Sequence, residues 1–294
     1  MKRPSDAAGC SASPTKCHSL SGIPVTKKKP IKAYPKSLSV IDMLNLGKVI
    51  SKSSTIMVTL HSFDLSEMEW TQLPTPVAVR VDEEPFGSGG FRNAYKAKST
   101  TSGFSSQTWV VKKFLPEAIL GIEAMGQTIE GQTRKAVQMH SLAQNFALQL
   151  KEKIRKEKLK EFGATFEYKN VYMGKVDGGD CVSMEEYIDG DFIKYLNNNG
   201  DLCEESDVMV EKAECYAHFT YEKSEGKLIV LDLQGSKYTL YDPEISSSEL
   251  LGGDGKMQFC NGNLAANAME NFFSNHNCNF YCKLLKLHLC PNGE

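Results

Sequence analysis

An aspartate stands inside an apolar run. Residues 228–233 read Leu-Ile-Val-Leu-Asp-Leu, and such a run of aliphatic side chains predicts a buried strand. A carboxylate withdrawn from water there is costly unless a cation, a hydrogen bond or a metal compensates it. The chain must therefore fold so that polar groups converge on Asp232. Gln234 lies two residues on, which places both side chains on one face of an extended strand. The Gly-Ser-Lys turn at 235–237 predicts a short hairpin that brings Asp242 back alongside them. Two carboxylates and an amide around one point make an oxygen-rich site suited to a hard cation such as Mg2+. The plainer alternative is that Asp232 only caps the turn at Leu-Gln-Gly-Ser.

A second polar constellation lies upstream. Gly87, Gly89 and Gly90 fall between two alternating segments, VAVRVDEEPF and FRNAYKAKS. Glycines there let the backbone turn tightly and approach an anion with no Cβ in the way, so that N–H groups can face phosphate oxygens. A plain β-turn is the bland alternative. Arg92 follows the loop directly, and Lys112 lies on the strand TWVVKKF about twenty residues later. Two cations beside a glycine turn suit a nucleoside triphosphate. Lys113 would point to the other face of that strand, towards solvent.

The third constellation is His276, Cys278 and Cys282, an H-x-C-x3-C pattern. If the segment is helical, the two cysteines fall one turn apart on one face, and thiolates with an imidazole make good zinc geometry. His218, near the end of an earlier helical stretch, is the best candidate for a distant fourth ligand. Four protein ligands close the site and make it structural. Two core cysteines and a surface histidine are the alternative. The nine cysteines are odd in number and follow no secretory signal, which points to a reducing compartment. Cys181, Cys203, Cys215 and Cys260 read as isolated small core residues.

Around these motifs the chain of 294 residues alternates in type. Strands are expected over roughly 75–115, a long helix over roughly 117–158, and further strands in FEYKNVYMGKV and DCVSMEEYI. A helix over about 205–222 and a last helix, NLAANAMENFFSNH, complete the second half. The expectation is an α+β, two-lobed fold, joined near residue 188 with a cleft between the lobes. Residues 1–37 are rich in Ser, Pro, Gly and Lys and read as a disordered basic leader. Its Lys27-Lys28-Lys29 run is compatible with a nuclear address, although a solvated charge run is the simpler view. A net charge of −2 excludes a general electrostatic nucleic-acid binder, and no stretch approaches the roughly 18 apolar residues of a membrane helix. A cytoplasmic location is expected.

These pieces, in this order, resemble the alpha-kinase family. The strongest matches are EPFGSGGFRNAYKAK, WVVKKF, MEEYIDGDFIKYLNNNG, HFTYEKSEGKLIVLDLQG, YDPEI, NGNLA and FFSNHNCNFYC. The resemblance implies a kinase domain over 78–292, with an N-lobe at about 78–185 and a C-lobe at about 189–292. Residues 38–77 would be an extension packing on it. It implies an ATP-dependent Ser/Thr protein kinase, with a pseudokinase or nucleotide-binding module as the alternative. Lys112 would hold ATP phosphates, helped by Arg92. Glu186 and Ile188 would offer hinge backbone to adenine. Asp232 would be the catalytic aspartate, with Gln234 and Asp242 as Mg2+ ligands. Asn198 and Asn263 match asparagines of family loops, and Gly262 keeps the small character of the substrate loop. His218, His276, Cys278 and Cys282 fall on four structural zinc ligands. The implied partners are ATP and a protein with a Ser or Thr acceptor. Cys260 and Ala265 replace usual glycines, and Tyr241 stands where a Thr often precedes the metal aspartate.

Overall fold

The computed structural model describes residues 39–47, 54–253, 255, 258–259 and 264–288. Two compact units divide the chain, Met1–Ile50 and Ser51–Glu294. In the first, the described element is the helix α1 (Val40–Leu46). The expected leader at 1–37 lies outside the described residues, as do Cys260, Gly262 and Asn263.

The second unit opens with β1 (Ser54–His61), a small hairpin of β2 (Phe63–Asp64) and β3 (Glu69–Trp70), then β4 (Thr75–Val81), β5 (Gly87–Ser88), β6 (Arg92–Ser99) and β7 (Thr108–Phe114). Helices α2 (Pro116–Ala124) and α3 (Ile129–Glu157) follow, then β8 (Glu167–Tyr168), β9 (Val171–Val176) and β10 (Cys181–Glu186). The rest comprises β11 (Ile193–Lys194), α4 (Val208–Lys223), β12 (Leu228–Leu231), β13 (Gln234–Ser236), β14 (Thr239–Tyr241), β15 (Glu244–Ser247), α5 (Ala265–Asn275) and α6 (Phe280–Leu285). The fold is α+β.

Seven strands form one sheet in the order β4-β1-β9-β10-β7-β6-β5, and β4 also pairs with β6, so the sheet closes on itself. β1 is hydrogen-bonded on both sides, to β4 and β9, and is an integral strand of this sheet. Val58, Val77, Val79, Trp109, Val111, Val182 and Met184 pack together as its apolar core. Gly174 is required there, because a Cβ would meet Val58 Cγ1 at 2.6 Å and Val182 Cγ2 at 3.0 Å. A second core gathers Phe146 and Leu150 of α3, Tyr216 and Phe219 of α4, Ile229–Leu231 of β12 and Phe272 of α5. A four-stranded sheet, β11-β13-β14-β8, borders it.

The long helix expected over 117–158 is two helices. Gly126 takes φ 69° and breaks the first, and the Thr128 side chain caps the second by accepting from Gly131 N. The helix expected over 205–222 starts at Val208, because Asp207 caps it through bonds from Met209 N and Val210 N. The expected strand through Asp232 is interrupted. Asp232 takes the left-handed φ of 52°, so β12 and β13 end in different sheets. An aspartate tolerates that conformation better than most residues. Simple alternation along one strand is therefore not what unites Asp232 with Gln234.

Candidate functional site

A cavity of about 670 Å3 lies where β5, β6, β7 and β10 of the closed sheet face β11, β13 and β14. Gly87, Gly89, Gly90, Arg92, Lys112, Glu186, Ile188, Asp232, Gln234 and Asp242 all line it. Lys112 is 6% exposed; its position on β7, across from Ser183 on β10 and Ala94 on β6, aims it inward. Lys113, on the other face, is half-buried over the Tyr95 ring. The glycine strip is a strand and turn, with Gly87 opposite Ala94 and Gly89 N bonded to Arg92 O at 2.9 Å. None of its three glycines takes a left-handed φ. What they contribute is a cavity wall without side chains, rather than conformational freedom.

Charge is tightly organised. Lys112 Nζ pairs with Glu185, and with Asp242 Oδ2 at 2.5 Å. Arg92 reaches Asp242 Oδ1 at 3.2 Å and Ser183 Oγ at 3.3 Å. Burial pushes the Asp242 carboxyl up, but Lys112 and Arg92 outweigh it and hold the group well below the usual carboxylate range. Asp232 forms an ion pair with Lys194, whose Nζ lies 2.6 Å from Oδ1. Gln234 Nε2 donates to Asp232 Oδ2 at 2.9 Å and approaches Asp242 O at 3.4 Å. Burial raises the Asp232 pKa, with Lys194 opposing. The β13–β14 hairpin pairs Gln234 with Tyr241, and Asp242, at φ 50°, turns back beside Asp232 as the sequence predicted. Burial raises Glu244 further, to about 7, with Asp232 adding to the rise.

Away from this cavity, one ligand atom each from His218, His276, Cys278 and Cys282 falls within 4.8 Å of the others. His276 Nε2 is 3.3 Å from His218 Nδ1, Cys278 Sγ is 3.7 Å from His218 Nδ1, and Cys282 Sγ is 3.6 Å from His276 Nε2. The two cysteines do not share a helix. Asn279 caps α6 by accepting from Tyr281 N and Cys282 N, so Cys278 precedes the helix and the bend at its start brings the thiols together. His276 Nδ1 lies 3.1 Å from Glu214 Oε1, and its ring stacks on Phe272 at 4.9 Å. Such a set could hold a thiophilic metal ion. A hydrogen bond from Cys215 and the adjacent histidines bring the Cys282 thiol down to about 3. Of the cysteines expected in the core, Cys215 is buried beside this cluster, whereas Cys181 is half-buried and Cys203 exposed.

The sequence profile of the Alpha-kinase family matches residues 87–282. The chain belongs to the alpha-kinase family. It is 30% identical over 232 residues to the human transient receptor potential cation channel subfamily M member 6, covering 77% of this chain and 11% of that protein. Over 249 residues it is 26% identical to the rat eukaryotic elongation factor 2 kinase, covering 80% of this chain and 30% of that one. The alpha-kinase chain thus spans between a tenth and a third of the length of these relatives. The crystal structure of the alpha-kinase domain of myosin heavy chain kinase A in complex with ADP superposes with a TM-score of 0.66 at 22% identity, covering 81% of this chain and 99% of that one. That likeness shows the fold.

Several residues of this alpha-kinase's cavity escaped the sequence analysis. Glu185, Lys194 and Glu244 line it. Glu185 was hidden in a strand, and the pairing of Lys194 with Asp232 spans 38 residues of sequence between two strands of separate origin. Asn198 does not line the cavity. Its neighbour Asn197 instead accepts the Asp232 backbone N–H at 3.2 Å and fixes the Asn197–Asp201 turn through its side chain.

Proposed function

We propose that this alpha-kinase transfers the γ-phosphoryl group of ATP to Ser and Thr hydroxyls of protein substrates. One observation carries it: Asp232, Gln234 and Asp242 converge with Lys112 and Arg92 on the wall of one 670 Å3 cavity. Such a volume suits a nucleotide. In this reading the cavity is the cleft of a two-lobed kinase, and the edge at Glu186–Ile188, beside the Phe86 and Tyr187 rings, receives adenine. The phosphates lie along the glycine strip, neutralised by Lys112 and Arg92. Gln234 and Asp242 would hold Mg2+, which supplies further charge neutralisation on the phosphates. Asp232 takes the proton from the acceptor hydroxyl as that oxygen bonds to the γ-phosphorus and the bond to ADP breaks. Burial makes Asp232 more basic, and Lys194 holds its carboxylate in place. The kinase domain expected over 78–292 then also takes in β1 from the expected extension at 38–77, because β1 pairs with β4 and β9 inside the sheet that walls the cavity.

The His/Cys cluster fits structural zinc. With Zn–N of about 2.0–2.1 Å and Zn–S of about 2.3 Å, a tetrahedron has edges of about 3.3 Å between nitrogens and about 3.6 Å between nitrogen and sulfur. The observed separations are 3.3, 3.6 and 3.7 Å. Glu214 on the far nitrogen of His276 is the expected outer partner of a metal-bound imidazole.

A second reading, nucleotide binding without transfer, rests on Ala265. It takes φ 55° where the resemblance expects glycine, a conformation costing roughly 1–2 kcal/mol with a Cβ present. One assay separates the two. With labelled ATP, Mg2+ and a basic protein substrate, the wild type should transfer phosphate to Ser or Thr. Asp232→Asn should lose about a thousandfold in rate with only a small change in thermal stability, because the Lys194 left without its partner is 34% exposed at its side chain. An Asp232→Asn protein with wild-type turnover, or a wild type that binds ATP and transfers nothing, would defeat the proposal.

A further inference from the structure

Five carboxylates line the cleft; Glu186 sits at the edge read as the adenine end, and of the other four, three have a cation in direct contact. Glu185 and Asp242 share Lys112, Asp242 also holds Arg92, and Asp232 holds Lys194. Glu244 differs. Its Oε2 is shut off from solvent and no hydrogen bond reaches it. A buried polar atom left without a partner costs about 1–3 kcal/mol, and a native chain that keeps one calls for an explanation. The position of this atom suggests one. Glu244 lines the main cavity, and it also lines a small pocket of about 20 Å3 directly behind it, together with Arg92, His140, Ser183, Glu185 and Asp242. That pocket has room for about one water-sized group among polar walls. The ladder between β12 and β15 sets Glu244 opposite Leu231, the residue before Asp232, and two residues after Asp242. Backbone pairing therefore fixes the Glu244 residue close to both aspartates.

We propose that Glu244 is a further divalent-cation ligand of the cleft, its Oε2 turning to the cation that Gln234 and Asp242 would hold. This rests on the kinase reading of the cleft and extends it. A hard dication takes oxygen donors and favours sites where anionic oxygens outnumber local cations. Here five carboxylates face three cationic side chains, Arg92, Lys112 and Lys194, and Glu244 Oε2 is a buried oxygen among them that neither a cation nor a hydrogen bond reaches. Bringing a dication to that oxygen removes the cost of leaving it unpaired. Glu244 would then tighten cation binding before any nucleotide arrives, because its oxygen belongs to the protein and not to ATP.

The test is Mn2+ binding to the full chain without nucleotide, read from the electron paramagnetic resonance signal of the unbound ion. Glu244→Gln keeps shape and removes the charge. It should weaken Mn2+ binding about tenfold, the scale seen when groups supporting a metal site are removed. Its thermal midpoint without metal should be equal to the wild type or higher. Glu244→Ala, read in the same way, serves should the glutamine variant fail to fold. Mn2+ affinity within twofold of wild type in the folded variant overturns the proposal. Asp242→Asn separates the two levels. If it loses Mn2+ while Glu244→Gln does not, only the role of Glu244 falls. If the wild type and all variants bind Mn2+ equally weakly, the protein alone builds no cation site and the proposal falls, while the kinase reading, in which ATP phosphates supply further oxygens, is left to the transfer assay.

Discussion

The cleft and the His/Cys cluster both withdraw polar side chains from water, yet they are built on opposite principles. In the cluster the ligands come from packed helices and a capped helix start. His218 and Cys282 are fully buried, and Phe272 and Phe273 press on the imidazoles. Nothing there needs to move. In the cleft the two aspartates stand on left-handed residues at strand ends, φ 52° for Asp232 and 50° for Asp242. Such positions store roughly 1–3 kcal/mol each. Their charges are met by lysines and an arginine that also face an open cavity, so a nucleotide or a cation can take over either side of each pair. One region spends its polar groups on rigidity. The other keeps them exchangeable, at a cost the two packed cores must offset.

The sharpest way to break that contrast is to remove a cluster ligand. Cys282→Ala should abolish folding rather than activity alone. The binding free energy of a structural zinc, apparently about 10–16 kcal/mol, is comparable to the whole stability of a typical domain, about 5–15 kcal/mol. Purified wild type should carry zinc by elemental analysis, and a strong chelator should lower its thermal midpoint by more than about 10 °C. A soluble, zinc-free Cys282→Ala protein that melts with the wild type would show that the cluster is only core packing.

The next largest effect probes exchangeability. Lys112→Met strands Glu185, 8% exposed at its side chain, next to Asp242. Breaking a buried pair on one side costs about 3–5 kcal/mol, and urea unfolding should show a loss near the lower figure. Adding Glu185→Gln should recover part of it, since the second change removes the stranded charge. The comparison fails if the single variant is as stable as wild type, or if the double variant is no better than the single.

Much of the cleft was legible because its chemistry is written in local order. A glycine strip, a lysine strand and the Asp-x-Gln-hairpin-Asp pattern each sit within a few residues, and a hairpin is a short-range object. The interruption at Asp232 was not legible, because an apolar run cannot reveal that its backbone will turn left-handed to end one sheet and begin another. Lys194 was missed for a related reason. Its partner is set by the β11–β13 pairing, Lys194 opposite Gln234, which no local pattern encodes. The helix break at Gly126 was readable from a glycine followed by a Thr cap, but one long helix was expected straight through it. His218 was reached from the need for a fourth ligand and its place near the end of a helical stretch, and the family resemblance pointed to it as well. The pairing of thiols was expected on one helix, whereas the Asn279 cap produces it by ending one segment and starting another.

The smallest predicted effect lies behind the cleft, at His140. The ring is 4% exposed and packs edge-on against Tyr168. Its Nε2 is 2.7 Å from the Lys169 carbonyl oxygen, which can only accept, so Nε2 carries a proton in either charge state. Burial lowers the pKa below 6.5; Glu185 and Asp242 push it up, and Lys112 pushes it down. A histidine depressed in the folded state binds fewer protons than the unfolded chain between its folded pKa and 6.5. Stability is therefore lost as pH falls through that window. Asp232 and Glu244 work with the opposite sign, because their raised pKa values make the folded state take up protons first. All three groups act in the wild type, so the raw pH profile mixes them. His140→Gln can still donate to the Lys169 carbonyl but does not titrate, and it leaves Asp232 and Glu244 in place. The difference between the two proteins isolates the histidine. From pH 7.5 to 5.5 the wild type should lose about 1 kcal/mol more than His140→Gln, a gap of about 2–4 °C in thermal midpoint. If the two profiles run parallel, the exchangeable charges of the cleft do not depend on a neutral ring behind them. The cleft would then be closer in kind to the rigid cluster than its geometry indicates.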